Sequence, residues 1–190
     1  KLTYFKKKLT KDMTIMLRFL ITLTCFPIAM MGGDDMSKKS AEMNETTVKA
    51  LFVYNFTKYL EWEAIPGNKF VIGIYDQFEI AQELILSCKN KLANNLPIEI
   101  KIIKKTADVK SCHVLYIPQK HNDLFEAIKT EAAKNKVVLI TEVPGMCSKG
   151  SCLNIIRKDK KLGFEINETE LKQCGIKIYE QLTNLATTVY

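Results

Sequence analysis

The sequence predicts a layered, Rossmann-like α/β domain with a mainly parallel sheet, flanking helices and an edge hairpin near its C-terminal end. Three observations predict it. Between residues 70 and 141, short apolar runs alternate with helical patterns, as parallel strands joined by crossover helices require. The first run, Phe70-Val-Ile-Gly-Ile-Tyr75, is almost wholly apolar and rich in β-branched residues, which suits a strand covered on both faces. Finally, Leu153 to Arg157 and Leu162 to Ile166 flank the polar turn Lys158-Asp159-Lys160-Lys161, the pattern of an antiparallel hairpin.

Taken in order, residues 1–33 carry six basic side chains and one acid, and Phe19 to Met31 is apolar apart from Thr22, Thr24 and Pro27. This is the pattern of an export signal, too short to span a bilayer. Initiation at Met13 or Met16 would make residues 1–12 an upstream extension. Cleavage is expected near Gly32 or Gly33 in preference to a lipid anchor on Cys25, because Thr22-Leu23-Thr24-Cys25 is a poor lipoprotein box. The full chain has a net charge of +7, but without residues 1–33 only 22 basic residues face 20 acidic ones. Basicity therefore does not argue for nucleic-acid binding.

Residues 34–45 are polar and read as a flexible lead-in, which leaves residues 46–190 as one domain. Val48, Leu51, Phe52, Phe56, Tyr59 and Leu60 recur at helical spacing, so the first helix runs to about Trp62, before Pro66-Gly67. Most of its aromatics suit a core; Tyr54 and Asn55 are the candidates for an outward, partner-facing role. The strand at 70–75 follows, then a helix from Phe78 to Lys89 and strands at Pro97 to Ile103 and His113 to Ile117. A helix from Asp123 to Lys134 and a strand from Val137 to Thr141 complete the alternation. After the hairpin, Asn167 caps a short helix that stops at Cys174-Gly175, and Ile176 to Thr187 reads as a final helix.

Five cysteines follow the export segment: Cys88, Cys112, Cys147, Cys152 and Cys174. In an exported protein thiols pair, and five leaves one over. Helix and strand directions put Cys88, at a helix end, and Cys112, at a strand start, on the same edge of the sheet, within bridging range. Cys147 and Cys152 would close a small loop eased by Gly150. Their spacing differs from the C-x-x-C of thiol-disulfide enzymes, and His113 and His121 are too few to build a metal site with them.

No nucleophile elbow, phosphate-cradling loop or H-E-x-x-H motif occurs. Asp76 stands where a receiver domain would have an acid, but Pro118-Gln119 stands where its central acid should be. The chain is thus expected to be neither an enzyme nor a cofactor carrier. Open parallel sheets bind ligands beyond the carboxyl ends of their strands, so Asp76, Pro118 and Glu142 are expected at the mouth of any small-ligand site.

Val48-Lys-Ala-Leu-Phe-Val-Tyr-Asn-Phe-Thr-Lys-Tyr-Leu-Glu-Trp62 resembles the opening helix of the YfiR-like periplasmic proteins, and Phe70 to Ile74 resembles their next strand. Pro144-Gly145, Leu153-Asn154-Ile155, Phe164-Glu165-Ile166-Asn167 and Gly175-Ile176-Lys177-Ile178 continue the likeness in order, over about residues 46–188. The resemblance implies a non-catalytic periplasmic protein that holds an inner-membrane diguanylate cyclase inactive by binding its periplasmic domain, in response to envelope redox state. Some members face sensor kinases instead, and a homodimer is a further expected partnership. Cys88 with Cys112, and Cys147 with Cys152, resemble the family's two cysteine pairs. Cys174 is extra, and the loop from Cys147 to Cys152 has fewer glycines than is usual there.

Overall fold

The computed structural model describes residues 34–158 and 161–190, with side chains from residue 45 onward. The export segment and Cys25 lie outside the described residues. Contacts divide the chain after Ser37, and the unit Lys38–Tyr190 holds the sheet and its helices.

Helix α1 (Asp34–Tyr59) begins where the sequence reading has a polar lead-in. It ends three residues before the expected stop, because Leu60–Trp62 leaves the helix as β1 and pairs antiparallel with β9 (Ile176–Ile178). There follow β2 (Phe70–Tyr75), α2 (Phe78–Cys88), β3 (Leu92–Ala93), β4 (Leu96–Ile103), β5 (Val114–Tyr116), α3 (Phe125–Asn135) and β6 (Val138–Thr141). The hairpin is β7 (Leu153–Lys158) and β8 (Lys161–Ile166), followed by α4 (Glu168–Gln173), β9, α5 (Glu180–Thr183) and β10 (Thr188–Val189).

The main sheet has the order β10-β8-β7-β6-β5-β2-β4-β3. From β4 to β7 all neighbours are parallel, whereas β7 with β8 and β3 with β4 are antiparallel. The expected mixed sheet with a C-terminal hairpin is what forms. The hairpin is followed by β10, which adds parallel to the outer side of β8.

Strand order also sets the layers. The crossover from β2 through α2 to β4 steps one way along the sheet, and that from β5 through α3 to β6 steps the other. Right-handed connections then put α2 and α3 on opposite faces. Beneath α3, Val71, Tyr75, Ile103, Leu115, Ile117 and Leu139 meet Phe125, Ile128 and Ala132 in one buried cluster. On the other face α1 lies with α2, tied by Thr47 Oγ1 donating to Glu83 Oε2 at 3.1 Å. There Phe52 and Phe56 pack edge-on against Phe164 of β8, with ring centres 5.8 and 5.1 Å apart.

Candidate functional site

The cysteine segment leaves β6 at Thr141 and enters β7 at Leu153. Its backbone reverses through Gly145 (φ +79°) and Gly150 (φ +106°), positions that favour glycine. Between them Cys147–Lys149 forms one tight turn, closed by Gly150 N–H donating to Cys147 O at 3.1 Å and Ser151 N–H to Met146 O at 3.0 Å. Neighbouring elements grip it: Asn167 Nδ2 donates to Cys147 O at 2.8 Å and Lys129 Nζ to Lys149 O at 2.6 Å.

Under this loop the sheet carries a polar ladder. Register places Thr141 beside Asn154, and Asn154 beside Glu165, across β6, β7 and β8. Thr141 Oγ1 donates to Asn154 Oδ1 at 2.8 Å, while Asn154 Nδ2 donates to Glu165 Oε2 at 2.9 Å and to Val143 O at 2.9 Å. Ser151 Oγ lies 2.9 Å from Thr141 Oγ1 and donates to Leu153 O at 2.8 Å. All four side chains are buried, so the ladder exchanges hydration for internal partners and fixes both ends of the loop.

All five cysteines among the described residues are free thiols. Cys88 and Cys112 do sit at the same sheet edge, but on opposite faces. Cys88 rides on α2 and lines a groove with Ile98 and Ile100, whose register partners are Phe70 and Ile72. Cys112 Sγ occupies the other face, where a Cβ added to Gly73 would come within 2.4 Å of it. Helix and strand direction thus fix an edge and not a face, and the sheet separates the two sulfurs. Burial pushes each thiol up to about 11.

The remaining thiols divide differently from their spacing. Burial, and then the Glu165 carboxylate, raise the Cys147 thiol. Cys152, by contrast, lies beside Cys174 at the end of α4, and the neighbouring thiol, together with burial, raises Cys152 well above the usual thiol range. The same interaction lowers Cys174, which is half-buried and whose Sγ reaches Val137 O at 3.8 Å. Cys174 is therefore the more acidic partner of a contacting pair.

Asp76, Pro118 and Glu142 all come to the carboxyl edge of the sheet, but the chain's own groups bind the Glu142 carboxylate and the main-chain carbonyl of Asp76. Glu142 accepts from Tyr116 Oη and from Gln119 N–H, each at 2.7 Å, and pairs with Lys49 of α1 at 2.5 Å. Burial disfavours the Lys49 ammonium, yet Glu142 and Glu45 outweigh it and raise its pKa. Lys120 Nζ donates to Asp76 O at 2.7 Å, and His121 Nε2 stands 3.5 Å from Asp76 Oδ2. Pro118 leads into the Gln119–Leu124 turns that carry these groups. A cleft of about 690 Å³ opens at the opposite, amino edge, where Trp62, Lys69, Lys110, Cys112, Lys136 and Cys174 line it. His113 at this edge is a packing residue: Nδ1 accepts from Val71 N–H at 2.9 Å and its ring stacks on Phe70.

A family model described as YfiR/HmsC-like matches residues 46–187, most of the chain. The chain belongs to that family. YfiR/HmsC-like proteins are periplasmic regulators of diguanylate cyclase, regulatory rather than catalytic. No curated protein matches the chain. Among solved structures it is similar to an ABC domain in complex with L-Trp from Streptococcus pneumoniae (13% identity, TM-score 0.50) and to a conserved domain protein from Vibrio cholerae (15% identity, TM-score 0.52). Each match covers 74% of this chain and 60% of the other, so the chain spans about 60% of the length of these structures, and the likeness is one of fold.

In this YfiR/HmsC-like domain, Tyr54 is not outward-facing. It is buried at 6% exposure, with the ammonium groups of Lys58 and Lys91 lying 4.5 and 4.7 Å from its ring centre. Asn55 beside it is half-buried. Among the described residues no group of three or more His, Cys, Asp and Glu side chains could hold a metal ion, and no helix is long and apolar enough to cross a membrane. Spacing along the chain could not reveal the contact between Cys152 and Cys174. The odd cysteine count was the only signal that Cys174 needed a place.

Proposed function

We propose that this protein regulates an inner-membrane diguanylate cyclase by binding its periplasmic domain, and that oxidation of Cys152 sets its binding state. The family match over residues 46–187 carries the regulatory part. Two bridges compete for Cys152: one to Cys147, suggested by spacing and family resemblance, and one to Cys174, supported by the interaction of the two neighbouring thiols. The chemistry favours the second. The Cys174 thiolate attacks a donor protein's disulfide, releasing one donor sulfur as a thiolate. Cys152, losing its proton, then displaces the other. Two electrons and two protons pass to the donor, which leaves as a dithiol, and a Cys152–Cys174 disulfide remains. Either bridge would act on the same loop and the same ladder, next to the sheet edge formed by β8 and β10. Capture of the tagged protein from gently solubilised envelopes is expected to retrieve a membrane diguanylate cyclase, with raised cyclic-di-GMP on gene deletion. Repeated capture without a cyclase, together with unchanged cyclic-di-GMP, would sink the proposal.

A second reading rests on the amino-edge cleft, where Lys69, Lys110 and Lys136 outnumber Glu63 and Glu99, the latter paired with Lys69. It makes the protein a periplasmic binder of a small anion that feeds a sensor kinase. A thermal-shift screen of anionic metabolites is then expected to find one that raises Tm, and a flat screen would count against it.

A further inference from the structure

The amino-edge cleft brings together groups suited to a small acidic disulfide. Its walls come from separate parts of the fold: Trp62 ends β1, Lys110 lies in the turn Thr106–Ser111 before β5, Lys136 follows α3, and Cys174 and Gly175 follow α4. At about 690 Å³ the cleft falls within the size range of sites for small organic molecules. Lys69 is paired with Glu99 at 2.9 Å, which leaves Lys110 and Lys136 against Glu63. The cleft thus keeps an excess of positive charge for carboxylates. Space beside Cys174 is open, since a Cβ built on Gly175 meets nothing within 4 Å.

Two thiols line this cleft, and one of them is set to react. Cys112 is buried, and burial pushes it up to about 11, so it stays protonated at neutral pH. Cys174 is half-buried, and the neighbouring Cys152 thiol, joined by the Lys136 ammonium, favours its thiolate over the opposing effects of burial and Glu170. Cys152 is buried and does not line the cleft, so a bound disulfide meets Cys174 first.

We propose that the amino-edge cleft binds a low-molecular-weight, carboxylate-bearing disulfide, of the glutathione disulfide or cystine kind, and that Cys174 exchanges with it there. The proposal rests on the reading of Cys152 and Cys174 as the reacting pair and gives that pair a small-molecule oxidant beside a protein donor. The Cys174 thiolate attacks one sulfur of the bound disulfide, forming a mixed disulfide, and the other half leaves as a thiolate that takes a proton from water. Cys152 then loses its proton and attacks the Cys174 sulfur, displacing the second half. Two electrons and two protons pass to the small disulfide, which leaves as two thiols, and the Cys152–Cys174 bridge remains.

Cys152→Ser keeps the first step and removes the second, so the reduced full-length variant should accumulate the mixed disulfide. Adduct formation with glutathione disulfide, cystine and the uncharged bis(2-hydroxyethyl) disulfide is followed by mass and mapped to Cys174. Each rate is divided by that of the same chain unfolded in urea, which removes the intrinsic reactivity of the reagent. Net-anionic glutathione disulfide is expected to gain roughly tenfold over the uncharged reagent, with net-neutral cystine between them. A larger gain for cystine would instead mark an amino-acid disulfide as the source. Lys110→Glu combined with Lys136→Glu is expected to erase the gain, as is high salt. Should Cys152→Ser fail to fold in a thermal melt, loss of the free Cys174 thiol in the wild type gives the same comparison. Equal corrected rates for all three reagents, or a gain that reversing the lysines leaves unchanged, overturns the proposal. Peptide mapping of envelope protein tests the Cys152–Cys174 bridge separately: its absence there removes the bridge, whereas failure here removes only the small-molecule donor.

Discussion

Asn154→Ala is expected to lower unfolding stability by about 2–4 kcal/mol, the cost of stranding several buried polar groups at once. Asn154 is wholly buried at 0% exposure and bonds to Thr141, Val143 and Glu165. Alanine removes every one of these bonds. The hydroxyl of Thr141 keeps Ser151 and Leu153 O within reach, but Glu165, only 8% exposed, loses its amide donor. The penalty for the carboxylate exceeds that for the lost neutral bonds, because a charged group is costlier to leave unpaired in the interior. Asn154→Asp makes the distinction sharper: the shape is kept while donation to Glu165 is replaced by repulsion, so its loss should equal or exceed that of alanine. Equilibrium urea unfolding of the reduced protein measures both. The loop supplies a second readout, since Val143 O anchors its entry; alkylation of Cys147 should speed up in either variant. A stability loss below about 1 kcal/mol for Asn154→Ala, with Cys147 still protected, would show that the ladder does not hold the loop.

How far the chain discloses this arrangement depends on the range of the interactions involved. β2 was legible because all six of its residues are buried, so the apolar run needs no context. The hairpin strands were placed to within a residue by the charged turn between them. The final segment misled: Ile176 to Thr187 has apolar residues at helical spacing, but Ile176–Ile178 pairs with Leu60–Trp62, more than a hundred residues earlier. That long-range partner outweighs local periodicity and also explains why the first helix stops early. At the carboxyl edge, strand direction correctly brought Asp76, Pro118 and Glu142 to one side. What covers them, Lys49 from α1 and the turns after β5, depends on packing that no local pattern encodes. For Cys88 and Cys112 the shared edge was legible and the face was not, for a related reason. Edge follows from strand direction alone, but face needs the strand order, which reverses between β4 and β5 around β2.

Cys174 is expected to be the thiol that reacts first and the one that Cys152 oxidises with. Its pKa is held below the ordinary thiol value by the neighbouring Cys152 thiol, so at a given pH it carries more thiolate than a free cysteine would. Cys88 and Cys112, pushed up to about 11 by burial, are almost wholly protonated at neutral pH. Iodoacetamide at pH 7 should accordingly label Cys174 at least roughly tenfold faster than either of them; the ratio persists at lower pH, where all the thiolate fractions fall together, and closes as the pH rises toward about 11, where Cys88 and Cys112 ionise. Oxidation follows from the same contact. A bridge between Cys152 and Cys174 closes a loop of roughly 23 residues, for which loss of unfolded-chain entropy gives about 3 kcal/mol, against about 2 kcal/mol for the short loop from Cys147 to Cys152. The oxidised wild type should therefore be more stable than the reduced protein by about 3 kcal/mol, and Cys174→Ser should abolish most of that difference while Cys147→Ser leaves it intact. Geometry argues in the same direction: Cys174 opens onto the amino-edge cleft, where a donor disulfide can approach, whereas Cys147 is buried under the Asn167 grip. Non-reducing peptide mapping of protein recovered from the envelope distinguishes the two bridges directly. Recovery of a Cys147–Cys152 peptide with Cys174 free to alkylate would transfer the redox role to the short loop and leave the Cys152–Cys174 contact as packing.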